Sequence, residues 1–367
     1  MKIKNIVSTI VFSIVFLGVF LTCVFKPHTE FSLSERRALA NMPDFTAETV
    51  ANGTFMDDFE TYTQDQFPMR DLFRSYKSFF VQKILGKHEN NGLYMANGHI
   101  SKMDDDEKPY MTNYATELFT KIYDTNIKGK NSDVYLSVIP DKNFILSTQN
   151  GYPCIDYDKF INEIKEKLSF MEYIEIRDLL SLDDYYTTDS HWRQEKITDI
   201  AERYLKKMGS SSDGVFDENT LDNPFYGVYA GQYGLKTQPD TIKYLTNDTL
   251  KSCIVTYYND MGKAVEKPMY DMEKAYGKDP YEMFLSGTQA LVEIENPNAE
   301  DDKELVIFRD SFTSSLAPLL VEGYSKITLV DVRYIQSSYV GNFVDFNNKD
   351  ILFMYSTSLL NNSLSMK

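Results

Sequence analysis

The sequence contains few of the residues that most often carry metal, redox or histidine chemistry. Its 367 residues include three cysteines and four histidines, and tryptophan occurs once. Three scattered cysteines are too few for a zinc site of the CxxC type or for a disulfide-dense scaffold. The histidines His28, His88, His99 and His191 lack the spacing of metal ligands. We therefore expect no metal site, and any histidine chemistry must use one of these positions.

Basic residues are fewer than acidic residues. Lysine and arginine number 38 against 54 aspartates and glutamates, which gives a formal net charge of −16. A chain this acidic has no broad basic surface for a phosphate backbone, so we expect no nucleic-acid partner. Hydrophobic residues make up 43% of the chain and charged residues 25%, as in ordinary folded proteins. The length allows a membrane anchor together with one large domain or two smaller ones.

One long uncharged run lies near the N-terminus. Residues 6–25 contain no charged side chain, and a helix of this length spans about 30 Å, the thickness of a bilayer core. Lys2 and Lys4 precede the run, so the positive-inside rule predicts a cytoplasmic N-terminus and an extracytoplasmic remainder. No small-residue cleavage site follows closely, which favours an uncleaved, single-pass anchor in the cell membrane over a signal peptide. A disulfide between Cys154 and Cys253 is then an open alternative.

The pattern of the chain changes near residue 110. Residues 54–85 have the apolar spacing of two amphipathic helices broken near Pro68, and residues 92–100 predict a hairpin that turns at Asn97-Gly98. From residue 110 onward, helices alternate with strands, which is typical of a mostly parallel sheet with helices on both faces. The predicted strands are 134–139, 173–177, 305–308, 327–331 and 351–356. The predicted helices are 112–127, 158–170, 192–208 and 312–322.

The expected domain organisation follows from these changes. Residues 213–300 interrupt the alternation, so we expect an insertion or lid region there and not a separate domain, with β-like segments over 225–270 and a helix over 272–285. The expected parts are a transmembrane anchor (1–26), a small helical juxtamembrane extension packing on the main domain (27–109), and an α/β domain (110–367).

Two polar segments lie at the carboxyl ends of predicted strands, where α/β sheets carry their sites. Ser311 comes between an apolar strand and a helix whose N-terminal amides can hold an oxyanion. His191 is the only histidine after residue 110, and Asp189 is close enough in sequence to orient its imidazole. Together they have the residue types of a serine nucleophile, its base and an orienting carboxylate. The alternative is helix capping by Asp310 or Ser311 and by Asp189 or Ser190.

Other side chains are weaker candidates. Lys142 follows the strand 134–139 and can reach the site, although a turn lysine is the simpler interpretation. Tyr185, Tyr186 and Tyr233, with Trp192, can form an aromatic rim for sugar stacking. The alternative for these rings is ordinary packing, with Trp192 wedging a helix start against the core.

Several segments resemble one protein family. Asp189-Ser190-His191-Trp192 resembles the signature that names the DHHW family, in which the second position is His. The similar segments, in order, are SERRALANMPDF, GTFMDDFETYTQDQFPMRD, ENNGLYM, VIPDK, NPFYGVYAGQYGLKT, DPYEMFLSG and RDSFTSSLAPLLVEGYSKITLVDVRY. They cover nearly the whole chain after the anchor. The related alginate O-acetylation proteins have an SGNH-hydrolase-like fold in which an Asp-x-His pair precedes the serine.

The resemblance implies a fold and a set of roles. The fold is an SGNH-hydrolase-like α/β domain, preceded here by a transmembrane helix and a small helical extension. The implied catalytic residues are Ser311, His191 and Asp189, and Arg333 matches an arginine near the site in relatives. Arg333, Trp192 and Tyr233 are thus the expected substrate-binding residues.

The implied function is acyl transfer outside the cytoplasm, a reaction that implies no cofactor. We expect an O-acetyltransferase or O-acetylesterase that acts on a cell-envelope polysaccharide, with a membrane-bound O-acyltransferase as the acetyl donor. Two departures favour the alternative of a catalytically inactive glycan-binding or scaffolding module. Arg309 replaces the glycine that usually precedes Asp-Ser, and the Gly and Asn blocks of an SGNH oxyanion hole are not found. At this turn we expect Arg309 to pair with a carboxylate such as Asp331, or to line the mouth of the site.

Overall fold

The computed structural model describes residues 2–258 and 262–367. The chain forms two compact units. The first contains Met1–Asn91 with Ala230–Thr237, and the second contains Gly92–Tyr229 with Gln238–Lys367. The predicted parts 1–26, 27–109 and 110–367 stay a prediction of domain organisation.

The first unit is mainly helical. Its helices are α1 (Lys2–Phe25), α2 (Ala47–Ala51), α3 (Thr54–Asp65) and α4 (Arg70–Phe79), and a π-helical turn, Phe80–Ile84, continues α4. Its short strands are β1 (Phe31–Ser32), β2 (Arg37–Ala38) and β3 (Glu89–Asn90). The break predicted near Pro68 is confirmed, because α3 ends at Asp65 and α4 begins at Arg70. Asp65 is buried and accepts two hydrogen bonds from Arg37, at 2.8 and 2.6 Å.

Helix α1 contains the uncharged run. Among the described residues, Ile3–Phe25 is the one helix long and apolar enough to cross a membrane. These properties fit a membrane anchor and a signal sequence alike.

The second unit is built around an eight-stranded sheet. Its strands and those of two smaller sheets are β4 (Leu93–Ala96), β5 (His99–Lys102), β6 (Asp133–Ile139), β7 (Glu172–Tyr173), β8 (Asp217–Thr220), β9 (Lys243–Thr246), β10 (Ile254–Tyr258), β11 (Ala264–Glu266), β12 (Leu291–Glu295), β13 (Glu304–Arg309), β14 (Lys326–Val330) and β15 (Asp350–Ser356). The remaining helices of the chain are α5 (Pro109–Ile122), α6 (Asn143–Asn150), α7 (Tyr157–Lys167), α8 (Thr198–Lys207), α9 (Val228–Tyr233), α10 (Asp248–Ser252), α11 (Met272–Ala275), α12 (Thr313–Leu320) and α13 (Thr357–Leu360). The residues of α9 from Ala230 onward belong to the first unit.

The predicted mostly parallel sheet is confirmed. Its strand order is β11-β10-β12-β14-β13-β15-β6-β7. The strands from β14 to β7 pair in parallel, and β12, β10 and β11 complete one edge with antiparallel pairs. All residues of β15 are buried, as expected for a parallel strand covered on both faces.

Helices cover both faces of this sheet. Alternate residues of β13 belong to different cores, because side chains of a strand alternate between its faces. Leu305 and Ile307 pack in the core that contains the apolar residues of α8 and α12. Val306 and Phe308 pack in the core that contains those of α5 and α7.

The hairpin turn at Asn97-Gly98 follows the local sequence. The predicted hairpin is confirmed as β4–β5, with φ of 48° at Asn97 and 81° at Gly98. Positive φ at both positions is what a two-residue hairpin turn requires, and Asn-Gly adopts it readily.

Three segments differ from their prediction. The strand predicted at 173–177 ends at Tyr173, because the Glu175 carboxylate takes the N–H groups of Ile176 and Arg177 at 3.1 and 3.0 Å. The helix predicted from residue 192 begins only at Thr198. The preceding residues run alongside 184–185 instead, with a bridge between Tyr185 and Trp192. The helix predicted over 272–285 breaks after Ala275, since Pro280 starts a separate short turn.

Candidate functional site

Ser311 lies at the turn between β13 and α12, at the carboxyl end of a central strand. Asp310 fixes this turn: its carboxylate accepts the Phe312 N–H at 3.0 Å and the Ser356 N–H, at the end of β15, at 2.8 Å. The N-cap position of α12 is Phe312, with no side-chain cap. The Asp310 carboxylate therefore holds the first turn at the start of α12 in the way an N-cap side chain does, and among the described residues Ser311 itself makes no capping hydrogen bond.

His191 contacts both of its predicted partners. Its Nε2 lies 2.8 Å from the Ser311 Oγ, and its Nδ1 lies 2.6 Å from the Asp189 Oδ1. Both distances suit proton transfer through hydrogen bonds. With the proton on Nδ1, the ring donates to Asp189 and accepts from the Ser311 hydroxyl, which is the tautomer that a general base needs.

Asp189 is held by several donors. Its side chain is 2% exposed, and its second oxygen accepts the Val228 N–H at 2.9 Å. The first oxygen also accepts the backbone N–H of His191 at 3.1 Å. Because α8 begins only at Thr198, Asp189 does not cap that helix. Its contacts instead fix the orientation of the imidazole.

Aromatic rings pack around the imidazole. Tyr281 stacks on His191 with ring centroids 3.9 Å apart and an interplanar angle of 11°. The Tyr281 hydroxyl lies 3.0 Å from the Ser315 Oγ, and burial raises the pKa of this phenol. Phe312 lies on the ring at 5.1 Å. Tyr281 was not predicted as a site residue, because no local spacing connects it to His191, although it lies within the DPYEMFLSG segment.

The segment before Asp189 is held by hydrogen bonds to two polar side chains, Asp240 and Lys142. Asp240 accepts hydrogen bonds from the backbone N–H and the hydroxyl of Thr187 and of Thr188, at 2.6 to 2.8 Å. Lys142, 1% exposed, donates from Nζ to the carbonyl oxygens of Tyr186 at 2.7 Å and Thr187 at 3.2 Å. Lys142 thus supports the backbone that leads into the site.

Gly227 allows a close approach to the same segment. A Cβ there would lie 2.3 Å from the Thr188 carbonyl oxygen and 2.4 Å from the Asp189 Cβ, so no larger residue fits without movement. The Gly227 N–H donates to the Thr188 Oγ1 at 2.8 Å. Residues of the region predicted as an insertion therefore lie directly beside Asp189. Tyr233 was the one residue of this region predicted at the site, and Gly227 was not predicted.

The burial of Lys142 predicts that the free energy of unfolding depends on pH. Burial lowers its pKa to about 7 in the folded chain, whereas an unfolded lysine titrates at about 10.4. Between these values the unfolded state binds the additional proton, so raising the pH stabilises the fold. We expect the free energy of unfolding of the wild type to rise relative to Lys142→Met by a few kcal/mol in this window, since one pKa unit corresponds to about 1.4 kcal/mol. Urea melts at both ends of the window measure this difference, and a constant difference would contradict the assignment.

The position and contacts of Arg309 differ from those expected from the sequence. It was expected to pair with Asp331 or to line the mouth of the site, but its side chain is 1% exposed. Strand β13 continues through Arg309, and its guanidinium donates to the Ser314 Oγ at 2.8 Å and to the Gly287 carbonyl at 3.4 Å. Asp331 instead binds Arg333 with two hydrogen bonds, at 2.9 and 2.6 Å. Arg309 therefore packs beneath the turn that presents Ser311.

The burial of Arg309 predicts a large effect on stability. Arg309→Met removes buried charge-assisted hydrogen bonds and leaves the Ser314 hydroxyl without this partner, so we expect a loss of about 2–4 kcal/mol in a denaturant melt. Arg203→Met is the control, because Arg203 is paired with Asp178 at the surface. Removing such an exposed pair costs about 1 kcal/mol or less. Equal losses in the two variants would show that the buried contacts contribute little.

The three expected substrate-binding residues have other contacts in the structure. Trp192 is fully buried, and its indole N–H donates to the Phe312 carbonyl and the Ser315 Oγ, both at 3.0 Å. Trp192 therefore packs against the start of α12, as in the alternative of ordinary packing, and does not form part of an exposed rim. Tyr233 is 5% exposed and lies in the first unit, where its hydroxyl donates to Gln82. Arg333 keeps 21% of its side chain exposed beside Asp331.

The structure also describes the cysteines, whose pairing the sequence left open, and the side chains that could bind a metal. Cys154 and Cys253 are both free thiols, so the structure contains no disulfide between them. Across residues 2–258 and 262–367, no group of three or more His, Cys, Asp or Glu side chains is arranged to hold a metal ion.

Comparisons with known proteins agree with the predicted resemblance. Residues 158–330 match the family described as DHHW protein. A DHHW family protein from Eubacterium siraeum DSM 15702 has a similar fold, with a TM-score of 0.61 and 20% identity over 76% of this chain and 95% of that one. The structure of Bacillus cereus PatB1 with a sulfonyl adduct gives a TM-score of 0.57 and 16% identity over 73% of this chain and 95% of that one.

A third solved structure is more distant. The O-acetyltransferase domain of Pseudomonas putida AlgJ gives a TM-score of 0.46 and 9% identity, over 74% of this chain and 92% of that one. The search of curated proteins found no match. The predicted resemblance to the DHHW family is confirmed, and so is the predicted α/β fold class with a mostly parallel sheet.

Proposed function

Because this chain matches the DHHW family, we propose that it catalyses acyl transfer through Ser311, His191 and Asp189. The observation that carries the proposal is the pair of contacts at His191, 2.8 Å to the Ser311 Oγ and 2.6 Å to the Asp189 Oδ1. A serine hydroxyl that contacts a base, which in turn contacts an orienting carboxylate, is the arrangement of an activated nucleophile.

The contacts support a two-step reaction. His191 accepts the hydroxyl proton of Ser311 as Oγ attacks the acyl carbon of the donor, and it then protonates the leaving oxygen. This gives an acyl-serine and a free alcohol. In the second step His191 deprotonates an incoming hydroxyl, which attacks the acyl-serine and restores Ser311. A sugar hydroxyl in this step gives O-acetylation, and water gives hydrolysis.

The turn at Ser311 supplies stabilisation for the oxyanion. The Ser311 N–H makes no hydrogen bond to the described residues, and it lies at the N-terminal end of α12, where the helix dipole favours negative charge. The Phe312 N–H is already bound to Asp310. We therefore assign the first oxyanion donor to the Ser311 amide.

The substrate class comes from the resemblance to alginate O-acetylation proteins. The proposed acceptor or substrate is a cell-envelope polysaccharide, and the proposed acetyl donor is a membrane-bound O-acyltransferase. Helix α1 would anchor the chain in the membrane, with the α/β unit on the extracytoplasmic side. The proposed chemistry needs no cofactor, because Ser311 and His191 supply the nucleophile and the base.

A catalytically inactive glycan-binding module is the second candidate. The observation that favours it is Arg309 in place of the family's glycine. However, Arg309 turns away to Ser314 and Gly287, and the Ser311–His191 contact of 2.8 Å coexists with it. The arginine is therefore compatible with an active serine.

An assay with two substrates separates these functions. The full chain in detergent or nanodiscs is incubated with p-nitrophenyl acetate, and then with this ester and a neutral oligosaccharide. We expect release of p-nitrophenol in the first assay and acetylated oligosaccharide in the second. Oligosaccharide binding without p-nitrophenol release, and without labelling by a fluorophosphonate, would favour the inactive module.

A further inference from the structure

Helix α4 and its π-helical extension turn a polar side toward their own unit. The Arg74 guanidinium donates to the Gly231 carbonyl at 3.0 Å, and the Ser78 hydroxyl donates to the Tyr233 carbonyl at 2.9 Å. Ser78 is 2% exposed. Packing within the unit is therefore polar along this helix, which is the reverse of an ordinary surface helix.

The opposite side of the same segment is apolar and exposed. Six large apolar side chains are each 41–63% exposed, namely Leu72, Phe73, Tyr76, Phe79, Phe80 and Ile84. Their spacing of three and four residues places them on one helical stripe. We call this set the α4 stripe. A contiguous apolar surface of this kind marks an interaction site, whereas single exposed apolar residues do not.

The charge around the α4 stripe differs from that of the whole chain. Residues 70–87 carry five basic side chains and one acidic side chain, in a protein of net charge −16. Lys77, Lys83 and Lys87 are exposed. A helix with aromatic and aliphatic residues on one side and lysines beside them has the composition of helices that lie in the interface of an anionic bilayer.

The position of the α4 stripe in its unit agrees with this composition. Cys23, near the end of α1, lines the same cavity as Phe73 and Lys77. The apolar helix α1 therefore ends close to α4. Where α1 crosses a bilayer, its end marks the membrane surface.

We propose that the α4 stripe lies in the interface of the bilayer that α1 crosses, with Lys77, Lys83 and Lys87 against anionic lipid headgroups. This rests on the proposed membrane anchor and not on the chemistry at Ser311. The occupant of the surface is lipid, because the cluster of lysines complements anionic headgroups and continues directly from the membrane helix.

Tryptophan quenching tests the contact with lipid. The full chain is placed in nanodiscs that contain anionic lipid, with or without bromine atoms on the acyl chains. Phe73→Trp places a reporter on the α4 stripe, and Phe80→Trp is a second, independent one. Ser75→Trp is the matched control, since Ser75 is exposed on the same helix but lies off the stripe. The wild type gives the background of the buried Trp192.

We expect brominated lipid to quench the Phe73→Trp and Phe80→Trp emission by about twofold or more, and the Ser75→Trp emission much less, because apolar residues of an interfacial helix reach the acyl boundary. Equal quenching of stripe and control would overturn the proposal. So would stripe reporters that are shielded from both brominated lipid and aqueous acrylamide, since a protein would then cover the stripe. Ser311→Ala leaves all these readouts unchanged, so a failure here is distinguishable from a failure of the proposed chemistry.

Discussion

Ser311→Ala is expected to lower the rate of ester hydrolysis by about 10³- to 10⁶-fold, the range found when a serine nucleophile is removed from a triad. The variant keeps the turn, because Asp310 continues to accept the N–H groups of Phe312 and Ser356. Only the contact from the Ser311 hydroxyl to His191 is lost. We therefore expect a change in the free energy of unfolding of about 1 kcal/mol or less.

The control is Ser358→Ala, which removes another hydroxyl, in α13 after the neighbouring strand β15. It should keep wild-type kcat/KM for p-nitrophenyl acetate. If Ser311→Ala and Ser358→Ala were equally active, Ser311 would not be the nucleophile.

Asp189→Asn is expected to lower the rate by about 10⁴-fold, because an amide favours the wrong tautomer of the imidazole. One Asp189 oxygen faces the His191 Nδ1 and the other faces the Val228 N–H. An asparagine must turn its NH2 group toward one of them. When it faces His191, Nδ1 becomes an acceptor and Nε2 carries the proton, so it no longer accepts from Ser311. When it faces Val228, a buried N–H loses its acceptor.

Asp189→Asn therefore also affects stability, by about 1–3 kcal/mol for a buried donor without a partner. This differs from helix capping, in which Asn replaces Asp at little cost. Asp183→Asn is the control, since Asp183 is exposed in the same segment. Wild-type activity in Asp189→Asn would assign Asp189 a purely structural role.

The sequence predicted the parts of the site that depend on local pattern. Ser311 follows a short apolar strand, and Asp189 and His191 lie two positions apart, so both segments could be located without knowing their neighbours. Chain order and residue type then indicated that they meet, although 120 residues separate His191 from Ser311.

The remaining site residues depend on contacts between distant segments. Tyr281, Asp240 and Gly227 reach the site from a region that interrupts the α/β pattern, and no periodicity connects them to His191. Arg309 was expected at an open turn because it follows four apolar residues. Strand β13 extends one residue further than predicted and so includes Arg309, which is buried and lies opposite Met354 of β15 in the parallel ladder. Whether a strand ends one residue earlier or later is set by its neighbours in the sheet, which the sequence does not specify.

The most direct test of the central claim is the identity of the acylated residue. The full chain is mixed with p-nitrophenyl acetate and quenched in acid, and its peptides are examined by mass spectrometry. The account predicts one acetyl group on Ser311 in the wild type, less of it in His191→Ala, and none on the corresponding peptide of Ser311→Ala. An acetyl group on another residue that persists in Ser311→Ala while p-nitrophenol is still released at the wild-type rate would contradict the account.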